Sequence, residues 1–180
     1  MPVSKCSLSA MSLQRLRPPD MKADHRILHL IAVLCIGAVG VALVSQHAFD
    51  MPPCAWCVFQ RLIFLLVASV CWLSLLAARA SAYATRVGLA LSAIGALGGL
   101  VAGWYQHTVA AKMFSCDQTF ADRFMVESGL DAGMPWLFGI FASCMDARVT
   151  VLGVEYVIWA MALFALIAAL ALYGLLRRPG

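Results

Sequence analysis

Charge is scarce in this chain: Asp, Glu, Lys and Arg together make up 12% of its 180 residues, where soluble domains carry about 25%. That shortage excludes a water-soluble globule with a charged surface, and equally a charge-rich disordered segment. The charges are missing in blocks. Residues 27–44, 62–78, 87–105 and 156–176 contain none, and each block is 17 to 21 residues long. A hydrocarbon core about 30 Å thick is crossed by roughly 20 helical residues at about 1.5 Å each, and backbone facing lipid must satisfy its own hydrogen bonds. The expected fold is an all-α membrane protein, a bundle of four transmembrane helices over those blocks. No A-x-A-like cleavage site follows the first block, which is also longer than a signal core of about 7 to 15 residues. It reads as a retained helix.

Basic residues are scarce on one side only. Lys5, Arg15, Arg17, Lys22 and Arg26 precede the first block, Arg79 and Arg86 separate the second from the third, and Arg177 and Arg178 end the chain. The other connections hold Lys112, Arg123 and Arg148, with Arg61 at a helix mouth. The excess of Lys and Arg marks the cytoplasmic side, so both termini are expected there. Segments 45–61 and 106–155 then face outward, into the periplasm if the membrane is a bacterial inner membrane. The net charge of +4 is mostly this asymmetry and makes no case for a nucleic-acid partner. Residues 1–26, with Pro18-Pro19, read as a basic cytoplasmic tail, 27–176 as the membrane domain, and 177–180 as a cytoplasmic C-terminus.

Topology sorts the seven cysteines. Cys6 lies in the tail as an incidental reduced thiol, and Cys35 and Cys71 lie inside helices as small apolar fillers. Cys54, Cys57, Cys116 and Cys144 face outward, where disulfides persist. Cys54-Ala55-Trp56-Cys57 follows Pro52-Pro53. With Pro53 at the first position of helix two, both thiols fall in its opening turn, where the positive end of the helix dipole favours a thiolate. Trp56 suits an interfacial aromatic belt.

A second close cysteine pair is lacking. Cys116 and Cys144 stand 28 residues apart, which weighs against structural zinc without removing it, because such sites favour two close pairs. Static disulfides are the other plain reading, and a Cys116–Cys144 bond would contribute about 3 to 4 kcal/mol. The Cys54/Cys57 pair resists it, since bridging one helical turn closes a small strained ring and strained disulfides are reactive. Arg61 stands four residues after Cys57, on the same helix face. It is either an arginine snorkelling to water or a cation that stabilises the Cys57 thiolate and an anion beside it. The second is preferred. His107, after Trp104-Tyr105-Gln106, is not decided by composition, while His25, His29 and His47 show no partner.

Asp117, Asp122, Glu127, Asp131 and Asp146 make the second outer loop acidic, for solubility or to bias which soluble partner docks. Within it, residues 134–144 are apolar but too short to cross, and are expected to form a short interfacial helix with Pro135 near its start. Gly95, Gly99 and Gly103 lie one turn apart on helix three. They read as packing within one bundle, with a homodimer seam as the alternative.

Several of these pieces together resemble the DsbB family, the bacterial inner-membrane thiol oxidases that re-oxidise the periplasmic disulfide donor DsbA using quinone. The likeness covers about residues 27–176. It rests on Cys-Ala-Trp-Cys followed by Gln60-Arg61, on Tyr105-Gln106-His107-Thr108, on Ser115-Cys116-Asp117, and on Cys144 before Leu152-Gly153. The resemblance implies a mixed disulfide between Cys116 and a DsbA-like partner, then exchange of Cys144 with Cys54. Cys57 would be left as a thiolate against the quinone, ubiquinone or menaquinone, with Arg61 beside it and His107 nearby. It also implies an integral monomer whose redox loops are periplasmic. The chain departs from the family pattern at the junction into helix four, with Val149-Thr150-Val151 in place of aromatics and Val157 in place of a proline. The rivals are the same relay run as a reductase, disfavoured because no cytoplasmic cysteine pair exists to feed it, and a tetraspan scaffold with static disulfides or zinc.

Overall fold

The computed structural model describes residues 21–81, 83–112 and 118–177. Cys6 and Cys116 fall outside them. Four helices among the described residues are long and apolar enough to cross a membrane: α1 (Met21–Ala48), α2 (Ala55–Ala77), α3 (Tyr83–Thr108) and α7 (Tyr156–Leu176). The expected all-α four-helix membrane bundle is what the chain forms. Between α3 and α7 lie a 3-10 turn (Ala110–Lys112), short helices α4 (Phe120–Glu127), α5 (Leu130–Gly133) and α6 (Pro135–Phe138), and a two-stranded hairpin, β1 (Thr150–Val151) with β2 (Val154–Glu155).

Three helices outrun their charge-free blocks, because a helix satisfies its backbone in water as well as in lipid. The last residues of the expected tail belong to α1, with Asp24 in its first turn, where the helix dipole favours an acid. α2 starts at Ala55 with Cys54 as its extended N-cap (φ −89°, ψ 171°). Pro53 is therefore outside the helix and not its first residue. Its carbonyl accepts the amides of Phe141 (3.0 Å) and Ala142 (3.3 Å) instead.

The second loop differs most from expectation. No helix runs over 134–144; α6 stops at Phe138, and Gly139 turns extended (φ −63°, ψ 136°). The amides beyond it have partners elsewhere: Ile140 donates to Asp131 Oδ1 at 2.9 Å, and Phe141 and Ala142 donate to Pro53. α4 was not anticipated, although Thr119 and Asp122 carry a capping-box pattern, and the Thr119 amide donates to Asp122 Oδ2 at 2.8 Å. The junction into the last long helix is the β1–β2 hairpin. It pairs Thr150 with Glu155 and Val151 with Val154 around Leu152-Gly153, both at positive φ. That is the backbone of a two-residue turn matching strand twist.

α3 packs against both α2 and α7, and α1 against α2, while α1 and α7 meet less closely. The core between them holds Leu28, Ile31, Leu89, Phe164 and Ile167, with Cys35 and Cys71 fully buried as fillers. Large apolar side chains such as Val33, Ile94 and Val101 stand exposed on the outside, as a lipid-facing surface requires.

The α3 glycines are used inside this bundle: a Cβ on Gly95 would meet Val67 of α2, and on Gly99 or Gly103 would meet Phe164 or Met161 of α7. They make close helix contacts within one chain, as the bundle-packing reading expects. Phe164 stacks on Phe64 at 4.0 Å between ring centroids, so Gly99→Ala has no free space to occupy. We expect it to cost about 1 to 3 kcal/mol, seen as a lowered unfolding temperature in detergent; an unchanged temperature would refute that packing role.

Candidate active site

Proline twice over and an extended cap deliver Cys54 and Cys57 to the first turn of α2. Their sulfurs are hydrogen-bonded at 3.3 Å, with Cys54 fully buried and Cys57 half-buried. The two amide bonds to Pro53 hold the second loop over this turn, and Cys144 packs against Cys54. Hydrogen bonding to Cys144, then to Cys57, together with burial, raises the Cys54 thiol above its ordinary value. Cys54 is thus held protonated between two other sulfurs.

Beneath the sulfurs lie polar side chains in otherwise apolar helices. Gln60 Nε2 of α2 donates to Gln106 Oε1 of α3 at 2.7 Å. Gln106 Nε2 in turn donates to Cys57 Sγ at 3.1 Å and Cys54 Sγ at 3.7 Å. Arg61 is 5% exposed. Its Nη1 donates to Gln46 Oε1 (2.6 Å) and the Leu137 carbonyl (3.1 Å), and its Nη2 to the Ala42 carbonyl (3.3 Å). All three acceptors are neutral. Among the described residues no carboxylate hydrogen-bonds this buried guanidinium, which suits it to an electron-rich or anionic group arriving from outside.

His107 at the end of α3 donates through Nδ1 to Glu155 Oε2 at 2.8 Å, and Arg148 Nη2 donates to Glu155 Oε1 at 2.7 Å. The Arg148 hydrogen bond foremost, and that of His107 after it, hold the Glu155 carboxyl below its usual range. A depressed carboxylate stabilises its contacts above its unfolded value and loses them as pH falls through the folded one, so this clasp is intact at neutral pH. Trp56 is fixed by Nε1 donating to Thr119 Oγ1 at 3.0 Å and by packing on Tyr105, with ring centroids 4.8 Å apart. His47, expected to lack a partner, donates to the Trp136 carbonyl at 3.0 Å. Its place at the end of α1 brings it under the second loop, which the sequence alone does not reveal.

Two spaces meet at these residues. A cleft of about 60 Å³ opens among the loops, lined by Cys57, Arg61, Gln106, His107 and Cys144. A groove of about 640 Å³ runs between α1, α2 and α7, with Cys57, Gln60 and Arg61 at one part of its lining and Val33, Gly37 and Leu163 along its walls. The groove opens where α1 and α7 meet less closely and where Gly37 places no side chain; nothing lies within 4 Å of a Cβ built there. Cys57 and Arg61 face both spaces.

The profile of the family described as DsbB, Disulfide bond formation protein DsbB, matches residues 24–174. The chain belongs to the DsbB family. Among curated DsbB-family relatives, each named Disulfide bond formation protein B, that of Herminiimonas arsenicoxydans is 29% identical over 159 residues, covering 88% of this chain and 99% of that protein. The one from Ralstonia nicotianae is 31% identical over 163 residues, covering 88% and 98%. A third, from Polaromonas naphthalenivorans, is 30% identical over 159 residues, covering 84% and 91%. With its four apolar helices, the chain is a multi-pass bacterial membrane protein of disulfide bond formation.

Of the residues expected to form the DsbB-type site, Cys54, Cys57, Cys144, Arg61 and His107 lie together at one end of the bundle. Cys116 is outside the described residues. Gln60 and Gln106 also belong to this cluster; the sequence placed them in the motifs that carry the resemblance but gave them no role. Gln46 and Glu155 belong to it too and were not singled out. A further signal for the glutamines was their polarity within or beside apolar helices, where polar groups are costly and mark function.

Proposed function

We propose that the protein oxidises the dithiol of a soluble DsbA-like partner and passes the electrons to a membrane quinone, ubiquinone or menaquinone. Its cysteine-bearing end faces the periplasm, and both termini face the cytoplasm. The carrying observation is that Cys57 and Arg61 face the loop cleft and the lipid-side groove at once. A water-borne dithiol reaches one, a lipid-borne acceptor the other.

The residues fit a quinone. Its oxygens match the Arg61 guanidinium, whose acceptors here are all neutral, and its apolar tail matches a groove within the roughly 300 to 1,000 Å³ of ordinary ligand sites. A bound quinone supplies a sink for the two electrons and two protons released when two thiols become one disulfide. The chain's own part begins with Cys116 and Cys144 joined: the partner's thiolate attacks Cys116 to form a mixed disulfide, the Cys116–Cys144 bond breaks, and Cys144 departs with its electron pair. Cys144, packed on Cys54, then attacks it, the Cys54–Cys57 bond breaks, and Cys57 is left as the free thiolate. Arg61 holds the negative charge developing beside Cys57, and His107, held by Glu155, stands at the cleft as a proton carrier.

The test follows quinone absorbance and partner thiols together, using purified protein, a reduced DsbA-like donor and each quinone in turn. Matched loss of both supports the relay; no turnover with either quinone would move the reading to a scaffold with static disulfides or zinc. Gly37→Leu supplies a second arm. The position is open, so the variant should fold normally, yet its side chain enters the groove. We expect the quinone KM to rise about tenfold, or roughly 1.4 kcal/mol, with donor exchange at the cysteines unchanged. An unaltered KM would exclude the groove as the acceptor's path.

A further inference from the structure

The buried amide pair carries an inference that rests on the thiol relay just proposed. Gln60 and Gln106 are 5% and 7% exposed, and each amide has one face that accepts and one that donates. A thiolate only accepts. Because Gln60 Nε2 donates to Gln106 Oε1, the oxygen of Gln106 is engaged on the α2 side and its NH2 is turned toward the sulfurs. That NH2 is nearer to Cys57 (3.1 Å) than to Cys54 (3.7 Å). Space for the pair is cut by Gly103, where a Cβ would stand 2.6 Å from Met161 and 3.5 Å from Gln60 Nε2.

We infer that Gln106 is a further catalytic residue, stabilising Cys57 as the leaving thiolate when Cys144 attacks Cys54, and that Gln60 is the positioning residue that keeps its NH2 aimed there. In that step an electron pair on the Cys144 sulfur forms the Cys144–Cys54 bond. The Cys54–Cys57 bond breaks, and its pair departs on Cys57; one disulfide replaces another with no net oxidation. Exchange is faster when the leaving sulfur bears charge more easily, and its outcome depends on which sulfur is attacked. Gln106 answers both requirements: attack on Cys54 expels the sulfur closest to the amide, and Cys54 is the sulfur against which Cys144 packs. Arg61 supplies net charge nearby, whereas Gln106 supplies direction.

The test uses the reduced full-length protein in detergent, alkylated with iodoacetamide at about pH 5.5, where an ordinary thiol is almost wholly protonated. Mass spectrometry reads Cys57 and Cys144 in the same sample. Gln106→Leu is expected to slow Cys57 alkylation about fivefold and leave Cys144 within about twofold. Gln60→Leu, which touches neither sulfur, should slow Cys57 by about two- to threefold, and adding it to Gln106→Leu should slow it no further, because it acts only through Gln106. Unchanged Cys57 reactivity in Gln106→Leu, multiplied effects in the double variant, or equal slowing of both cysteines would each overturn the assignment. No quinone or partner enters this assay. A wild-type protein without quinone turnover would therefore overturn the proposed function while this result stood or fell separately.

Discussion

Cys57→Ser should abolish quinone-linked oxidation of a DsbA-like donor, lowering turnover by at least about 10³-fold, as loss of a nucleophile acting within a unit does. Among the described cysteines Cys57 alone faces both the cleft and the groove; Cys144 faces the cleft, and Cys54 is fully buried. A serine hydroxyl is close in size and can still take the Gln106 hydrogen bond, so the fold should change by no more than about 1 kcal/mol. With no Cys54–Cys57 bond for Cys144 to attack, Cys54 and Cys144 ought to remain unjoined thiols, the donor being oxidised at most once by the Cys116–Cys144 disulfide and the quinone left unreduced. The check is paired: quinone absorbance for turnover, and non-reducing peptide mapping for the absence of a Cys54–Cys144 bond after the donor reacts. Turnover near the wild-type rate would remove Cys57 from the electron path.

Arg61→Met separates charge from shape. Methionine is unbranched and fills irregular space, so it occupies much of the volume that the guanidinium and its stem take up. What it removes is the cation and its donors. If Arg61 meets the acceptor's oxygens, the quinone KM should rise about 10- to 100-fold, the weight of a hydrogen bond to a charged group. Stability has opposing contributions. Gln46, Leu137 and Ala42 each lose a donor, costing about 1 kcal/mol apiece, but a buried charge with no carboxylate partner among the described residues is removed as well. We expect the unfolding temperature to move by only a few degrees. A large fall in it with an unchanged KM would make Arg61 a structural tie between α1, α2 and α6 and nothing more.

The features legible in the sequence were those carried by long apolar blocks or by local spacing. Lipid imposes helices on uncharged runs of 17 residues or more, so α1, α2, α3 and α7 needed no tertiary information. Cys57 and Arg61 share a helix face by spacing alone. What escaped was whatever depends on two distant segments meeting. Gln60 and Gln106 stood in the quoted motifs without a role, and only the approach of α2 to α3 makes them a donor chain ending on sulfur. Glu155 drew no reading from the sequence, and it is the hairpin that sets it between His107 and Arg148. The missed end of α6 has the same origin: Phe141 and Ala142 have good apolar character for a helix, but Pro53 offers their amides another partner. Local propensity lost to a contact 88 residues away in sequence, counting from Pro53 to Phe141.

That same pair of hydrogen bonds to the Pro53 carbonyl acts as a tether of known length. Ala142 is pinned beside the start of α2, and Cys144 follows two residues later. Fully stretched, two residues reach about 7 Å, and one thiol confined within a sphere of that radius amounts to a local concentration of roughly 1 M. Soluble thiols at millimolar levels compete poorly against it for Cys54. While the tether holds, exchange between the two loops is a first-order event whose rate does not depend on how sparsely the protein is scattered through its membrane.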